Sequence, residues 1–313
     1  MIIKQEHLIE SIHSALQYIS DYHSPDFINA MVSAYERETN QSAKNAIEQI
    51  LINSKMCALG KRPICQDTGI VNVFLEVGMS VQWESELSLE DMINEGVRRA
   101  YNEPDNRLRA SIVDDPLFSR KNTQDNSPAV IHTKIVKGDT LDITVAAKGG
   151  GSENKSKFTV LNPDDSLTDW ILKTIPTMGA GWCPPGMIGI GAGGTAEKAM
   201  LMAKASLMEP IDINSIKTKV NPSDIEKLRI DLFDQINGLG IGAQGLGGLT
   251  TVLDVKINDY PTHAASLPVA MIPNCASTRH VHFSLDGMGV AELPEVDLSL
   301  YPDLEMDVSK YTK

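Results

Sequence analysis

The sequence predicts an α/β protein of mixed helices and sheets with an N-terminal helical region. Three observations carry that reading. Apolar residues recur at helical spacing through the first 60 residues, alternating strand-like runs begin at Val71 and Leu141, and helical and strand patterns interleave from there to about Ile272.

Leu8, Ile12, Ala15, Leu16 and Ile19 form one helical stripe, and Phe27, Met31, Ala34 and Tyr35 form a second after the break at Pro25. A third helix, Ala43 to Leu59, puts Ile47, Ile50, Leu51, Ser54, Cys57 and Ala58 on one side, which makes Cys57 a core residue. The polar loop Arg62 to Gly69 leads into a strand with Val71, Val73, Leu75 and Val77 on one face. Ser88 and Asp91 cap a helix running to about Tyr101, and Asn102 to Asn126 is irregular. Between Ala129 and Ala147, two strands are joined by Lys137-Gly138-Asp139, a connection of hairpin length. A helix from Leu167 to Met178 precedes a glycine-rich loop with Trp182 and Cys183, and a helix of good formers spans Thr195 to Met208. Pro210 to Pro222 reads as a connector, Ser223 caps a short helix, and strands follow at Leu249 to Ile257 and Ser266 to Ile272. Residues 1–290 are expected to form one catalytic domain, with 1–60 as its helical part and 291–313 as an acidic, linker-like tail.

Composition excludes several classes of function. The 313 residues are 42% hydrophobic, enough for a substantial core without disulfides, and four widely spaced cysteines make no secreted framework. A net charge of −13 without a basic stripe argues against nucleic acid. The N-terminus lacks the marks of an export signal and no run of about 18 apolar residues occurs, so a cytoplasmic protein without a membrane span is expected. Small anions remain possible ligands, provided that individual arginines override the average field.

Cys65, Cys183 and Cys275 lie in loops flanked by Pro, Gly, Asn or Gln. Three soft thiolates suit an iron–sulfur cluster or, with His263, zinc, although their spacing alone fits buried thiols as well. Asp67 reads either as an Asx-turn or as a catalytic carboxylate, and Arg109 either as a surface ion-pair partner or as a carboxylate clamp. Gly150, inside Gly149-Gly150-Gly151, can offer its backbone N–H to an anion. The runs Gly189 to Gly194 and Gly238 to Gly248 lack a dinucleotide or phosphate-loop signature and are expected to be tight backbone approaches to a bound group.

Five segments together resemble the alpha part of the iron–sulfur-dependent class I fumarate hydratase and L(+)-tartrate dehydratase family: CQDTG at Cys65, GGGSENKS at Gly149, WCPPG at Trp182, GGTAEKAM at Gly193 and NCASTRH at Asn274. They occur in family order over nearly the whole chain. The resemblance implies an alpha-type hydro-lyase fold and a [4Fe–4S] cluster on Cys65, Cys183 and Cys275, with one iron open to a small dicarboxylate. It implies substrate contacts from Gln66 and Asp67, the latter in proton transfer, and a carboxylate clamp at Arg109, which matches the family's Leu-Arg-x-Ser pattern. His263, twelve residues before Cys275, corresponds to an active-site histidine that orients substrate or shuttles a proton. A beta subunit or fused beta domain completes the site in such enzymes, and a homo-oligomer of the alpha–beta unit is expected. The reaction implied is interconversion of fumarate and (S)-malate, with dehydration of L(+)-tartrate to oxaloacetate as the alternative.

Overall fold

In the computed structural model, residues 1–304 are described; the end of the predicted tail, 305–313, lies outside the described residues. The strands are β1 (Ile2–Lys4), β2 (Ile70–Gly78), β3 (Gln82–Glu84), β4 (Val130–Val136), β5 (Leu141–Lys148), β6 (Lys157–Leu161), β7 (Gly186–Gly193), β8 (Val252–Tyr260), β9 (Leu267–Asn274) and β10 (His280–Leu285). The helices are α1 (Gln5–Asp21), α2 (Pro25–Arg37), α3 (Gln41–Gly60), α4 (Leu89–Tyr101), α5 (Gly150–Glu153), α6 (Leu167–Met178), α7 (Ala196–Ser206), α8 (Ile213–Lys217) and α9 (Asp224–Gly238). The chain is therefore α/β with N-terminal helices, as the periodicities predict. It divides into two units, one of Met1–Ser24, Gly60–Gly150 and Ser277–Val296, the other of the remaining segments.

The first unit is built on the sheet β10-β5-β2-β4. Its core joins Leu8, Ile12, Leu16 and Ile19 of α1 and Met92, Ile93 and Val97 of α4 to Val71, Val73, Leu75, Leu141, Ile143 and Val145 of the two central strands. The Ser88 hydroxyl caps α4 by accepting the Asp91 N–H. One prediction is corrected here. β4 and β5 do not pair as a hairpin: β2 lies between them, parallel to β4 and antiparallel to β5. The fully apolar face of β2 gains most by central placement, and the Lys137-Gly138-Asp139 connection crosses its end, where Ser80 N–H donates to Gly138 O at 3.0 Å.

The second unit is built on the sheet β6-β9-β7-β8. Ile171 and Ile175 of α6 and Leu232, Phe233 and Ile236 of α9 cover one face with Ile188, Ile190, Val255 and Met271. Ala199 and Ala203 of α7 cover the other with Met187, Ala270 and Ile272. Here the structure corrects the reading of Gly189 to Gly194. Most of that run is the strand β7, and a Cβ at Gly189 or Gly191 would stand 2.2 or 2.0 Å from carbonyl oxygens of α7. These glycines admit a helix, and no bound group is needed to explain them. The Gly238 to Gly248 run likewise closes on itself through a bridge between Gly242 and Gly247. The predicted connector holds a short helix, α8, and Ser223 caps α9 in a reciprocal box with Glu226.

A buried ion network anchors the second unit's β8. Asp254, fully buried, meets Arg229 Nη2 and Lys256 Nζ at 3.1 Å each and accepts the backbone N–H of Asp212 and Val255. No described helix is long and apolar enough to cross a membrane.

Candidate active site

In the antiparallel pair β2/β5, Ile70 stands opposite Lys148, so the loop entering β2 and the turn leaving β5 emerge at one end of the sheet. Gly69 permits their approach: it has φ +81°, and a Cβ there would lie 2.8 Å from the Lys148 backbone. The Asp67 carboxylate is held from two sides, Oδ1 accepting the Gly69 N–H at 2.9 Å and Oδ2 the Gly150 N–H at 2.8 Å. Gly150 thus does bind a carboxylate, but that of Asp67. Two residues earlier, the half-buried Cys65 thiol points to Gln66 Oε1 at 3.4 Å. Ile64 N–H donates to Ser20 O at 2.8 Å, which ties this loop to the end of α1.

The irregular segment is tied to the same loop. Thr68 Oγ1 donates to the Arg109 carbonyl, and the buried Tyr101 hydroxyl donates to the Thr68 carbonyl at 3.1 Å. Burial pushes the Tyr101 phenol up to about 12, against the pull of Arg279. Asn126, fully buried, donates to Gly69 O at 3.1 Å and accepts from Ser111 N at 2.6 Å and Ile112 N at 3.2 Å. Nothing in its sequence context distinguished Asn126 from an ordinary turn asparagine. Arg107 and Arg109 line a cleft of ≈440 Å³ with Leu108, Ala110, Asn122 and Gln124. Both are exposed, and neither guanidinium has a partner among the described residues. Asp21, at the end of α1, receives Asn106 Nδ2 at 3.4 Å, and burial raises its carboxyl to about 6 against Asn106 and Lys61.

The second unit brings Cys183 and Cys275 into adjacent loops. Cys183 is exposed at φ +56°, and its carbonyl accepts the Ala276 N–H at 3.0 Å. Gly186 lets these loops close, since a Cβ there would lie 1.9 Å from Asn274 O. His263 is exposed in the turn before β9, with Nδ1 accepting the Ala265 N–H at 3.1 Å, whereas Cys275 follows β9. Eight residues of strand, roughly 25 Å, separate them. A single zinc ion cannot join both.

None of the four cysteines is in a disulfide; Cys65 and Cys275 are partly exposed and Cys183 is exposed, while Cys57 is buried on α3. Among the described residues no group of three or more His, Cys, Asp or Glu is gathered to hold one metal ion. A cluster makes a different demand, because each thiolate binds its own iron. Thiols borne on loops and at least partly exposed fit that donor chemistry.

Residues 9–284 match the family model described as fumarate hydratase (Fumerase). The chain belongs to the iron–sulfur-dependent class I fumarate hydratase and tartrate dehydratase alpha-subunit family. A protein of Methanocaldococcus jannaschii, provisionally named L(+)-tartrate dehydratase subunit alpha, is 35% identical over 282 residues, 87% of this chain and 94% of its own length. The L(+)-tartrate dehydratase subunit alpha of Escherichia coli strain UTI89 is 27% identical over 275 residues, covering 87% of this chain and 88% of that subunit. The anaerobic class I fumarate hydratase of Escherichia coli K12 is 29% identical over 265 residues, which make up 82% of this chain but 47% of that enzyme.

Proposed function

We propose that the chain is the alpha part of a hydro-lyase that dehydrates a small hydroxy dicarboxylic acid, with L(+)-tartrate, giving oxaloacetate, as the favoured substrate. The observation that carries the hydro-lyase reading is the Asp67 carboxylate, aimed by two backbone N–H groups and placed two residues from Cys65. On this reading Cys65, Cys183 and Cys275 hold a [4Fe–4S] cluster, which supplies a Lewis-acidic iron for a substrate oxygen. Asp67 accepts or returns a proton, and the fixed hydrogen bonds from Gly69 and Gly150 keep its position through the transfer. Gln66 hydrogen-bonds the substrate, and Arg109, with its guanidinium unengaged beside the cleft, clamps a carboxylate. Gly150 serves the site through its bond to Asp67. His263 lies at the opposite end of β9 from the Cys275 loop, and its role as orienting group or proton shuttle is tested by H263A.

Tartrate is favoured because the relatives that carry that name are matched over 94% and 88% of their lengths. The second reading, fumarate and (S)-malate, is supported by the family description and by 29% identity to a class I fumarate hydratase. Relatives named as alpha subunits support a separate beta subunit or domain. On this reading that partner supplies the remaining clamps and the base, and the alpha–beta unit repeats as a homo-oligomer in the cytoplasm. The test is an anaerobic assay of the chain with its beta part on L(+)-tartrate, (S)-malate and fumarate. The highest kcat/KM is expected on L(+)-tartrate, with little turnover by the chain alone. A higher value on fumarate would select the second reading, and full activity without the beta part would reject the shared site.

A further inference from the structure

Arg279 is only 3% exposed, yet its Nε and Nη2 have no hydrogen-bond partner. These atoms form the side-on edge of the guanidinium, whose two parallel N–H groups match the two oxygens of a carboxylate. A buried cation with that edge unpaired is costly unless something occupies it. The backbone at this point is fixed, because Ala147 N–H donates to Arg279 O at 3.0 Å.

Gly149 marks what lies in front of that edge. A Cβ built on it would stand 3.4 Å from Asp67 Oδ2 and 3.8 Å from Arg279 Nη2. The carboxylate and the guanidinium therefore face one point from two sides, and they form no ion pair with each other among the described residues. Tyr101 senses both, Arg279 lowering and Asp67 raising its phenol. Asp67, in contrast to Arg279, is only partly buried.

We propose that Arg279 and Asp67 are two arms of one receptor for a 2-hydroxycarboxylate group, Arg279 binding the carboxylate through Nε and Nη2 and Asp67 accepting a hydrogen bond from the hydroxyl. The inference rests on the reading of the substrate as a small hydroxy dicarboxylate and adds a specificity element to it. L(+)-tartrate carries two such groups, (S)-malate one and fumarate none, so a receptor of this kind ranks the three in that order.

Calorimetric titration of the full chain, with and without anaerobic cluster reconstitution, reads the receptor apart from turnover. Wild type is expected to bind L(+)-tartrate more tightly than succinate, which lacks the hydroxyls. R279M is expected to weaken L(+)-tartrate binding roughly 10- to 100-fold, the range for lost hydrogen bonds to a charged group, and R279K is expected to weaken it less. G149A is the second variant: its methyl meets nothing closer than 3.4 Å, so it folds, and it fills the gap between the two arms. It is expected to weaken binding at least tenfold. Wild-type affinity in folded R279M or in G149A, or no binding by wild type, overturns the proposal. Failure of the hydro-lyase reading appears differently, as tartrate binding that depends on Arg279 without turnover by the complete alpha–beta enzyme.

Discussion

Asp67 Oδ2 accepts the backbone N–H of Gly150 at 2.8 Å, so the carboxylate before β2 is aimed by the first residue of α5, two positions past the end of β5. Two segments 83 positions apart share one hydrogen bond, and the loop of Cys65 takes its geometry from it. D67N keeps the shape of the side chain but turns one of its two acceptors, for Gly69 or for Gly150, into a competing donor. A fall in kcat of about 10²- to 10⁴-fold is expected from loss of the proton-transfer group, with a melting temperature within a few degrees of wild type. Steady-state kinetics and thermal denaturation of the same preparation check it, and an active D67N would remove Asp67 from proton transfer.

Asn126 links Gly69 to the segment after Arg109 with three hydrogen bonds from one buried amide. N126A leaves two N–H groups and a carbonyl without their partner and is expected to cost about 2–4 kcal/mol in urea unfolding. Because the amide also holds the arginine loop beside Thr68, KM for the dicarboxylate should rise as well.

Asp21 carries a pH signature. Its folded pKa, about 6, lies above the unfolded value, so the folded form binds the extra proton between these two values. Its charge therefore costs stability that is absent below about pH 4, grows as pH rises and is complete above about pH 6. D21N is expected to be more stable than wild type by about 1–3 kcal/mol at pH 7 and equal to it near pH 4. Paired denaturant titrations across that range measure the difference.

Asp254 binds both Arg229 and Lys256 in the interior of the second unit. D254N leaves two buried cations short of a counter-charge and is expected to cost about 3–5 kcal/mol, read by chemical unfolding. The loss should appear regardless of substrate or iron.

The sequence made some of this architecture legible and hid the rest for identifiable reasons. Helical stripes such as Leu8 to Ile19 are local, and the caps at Ser88 and Ser223 are single side chains meeting their own helix, so both could be read directly. Strand order was not readable: alternation in Val71 to Val77 and Leu141 to Val145 states which face is buried but not that β2 inserts between β4 and β5. Gly189 and Gly191 looked like a ligand loop because glycine is needed for any close backbone approach, and here the approaching backbone is α7. The Cys-Gln-Asp loop stood out by its chemistry, whereas Asn126 acts through partners distant in sequence, and nothing in the segment from Asn274 showed that Arg279 faces the same point as Asp67.

The central claim is that Cys65, Cys183 and Cys275 hold the cluster and Cys57 does not. Iron and acid-labile sulfide should be quantified in anaerobically reconstituted wild type, C57A, C65S, C183S and C275S. Stoichiometric [4Fe–4S] content in wild type and C57A, lost in the three serine variants, is the expected result. Full cluster content in any of those three variants, or its loss in C57A, would contradict the assignment.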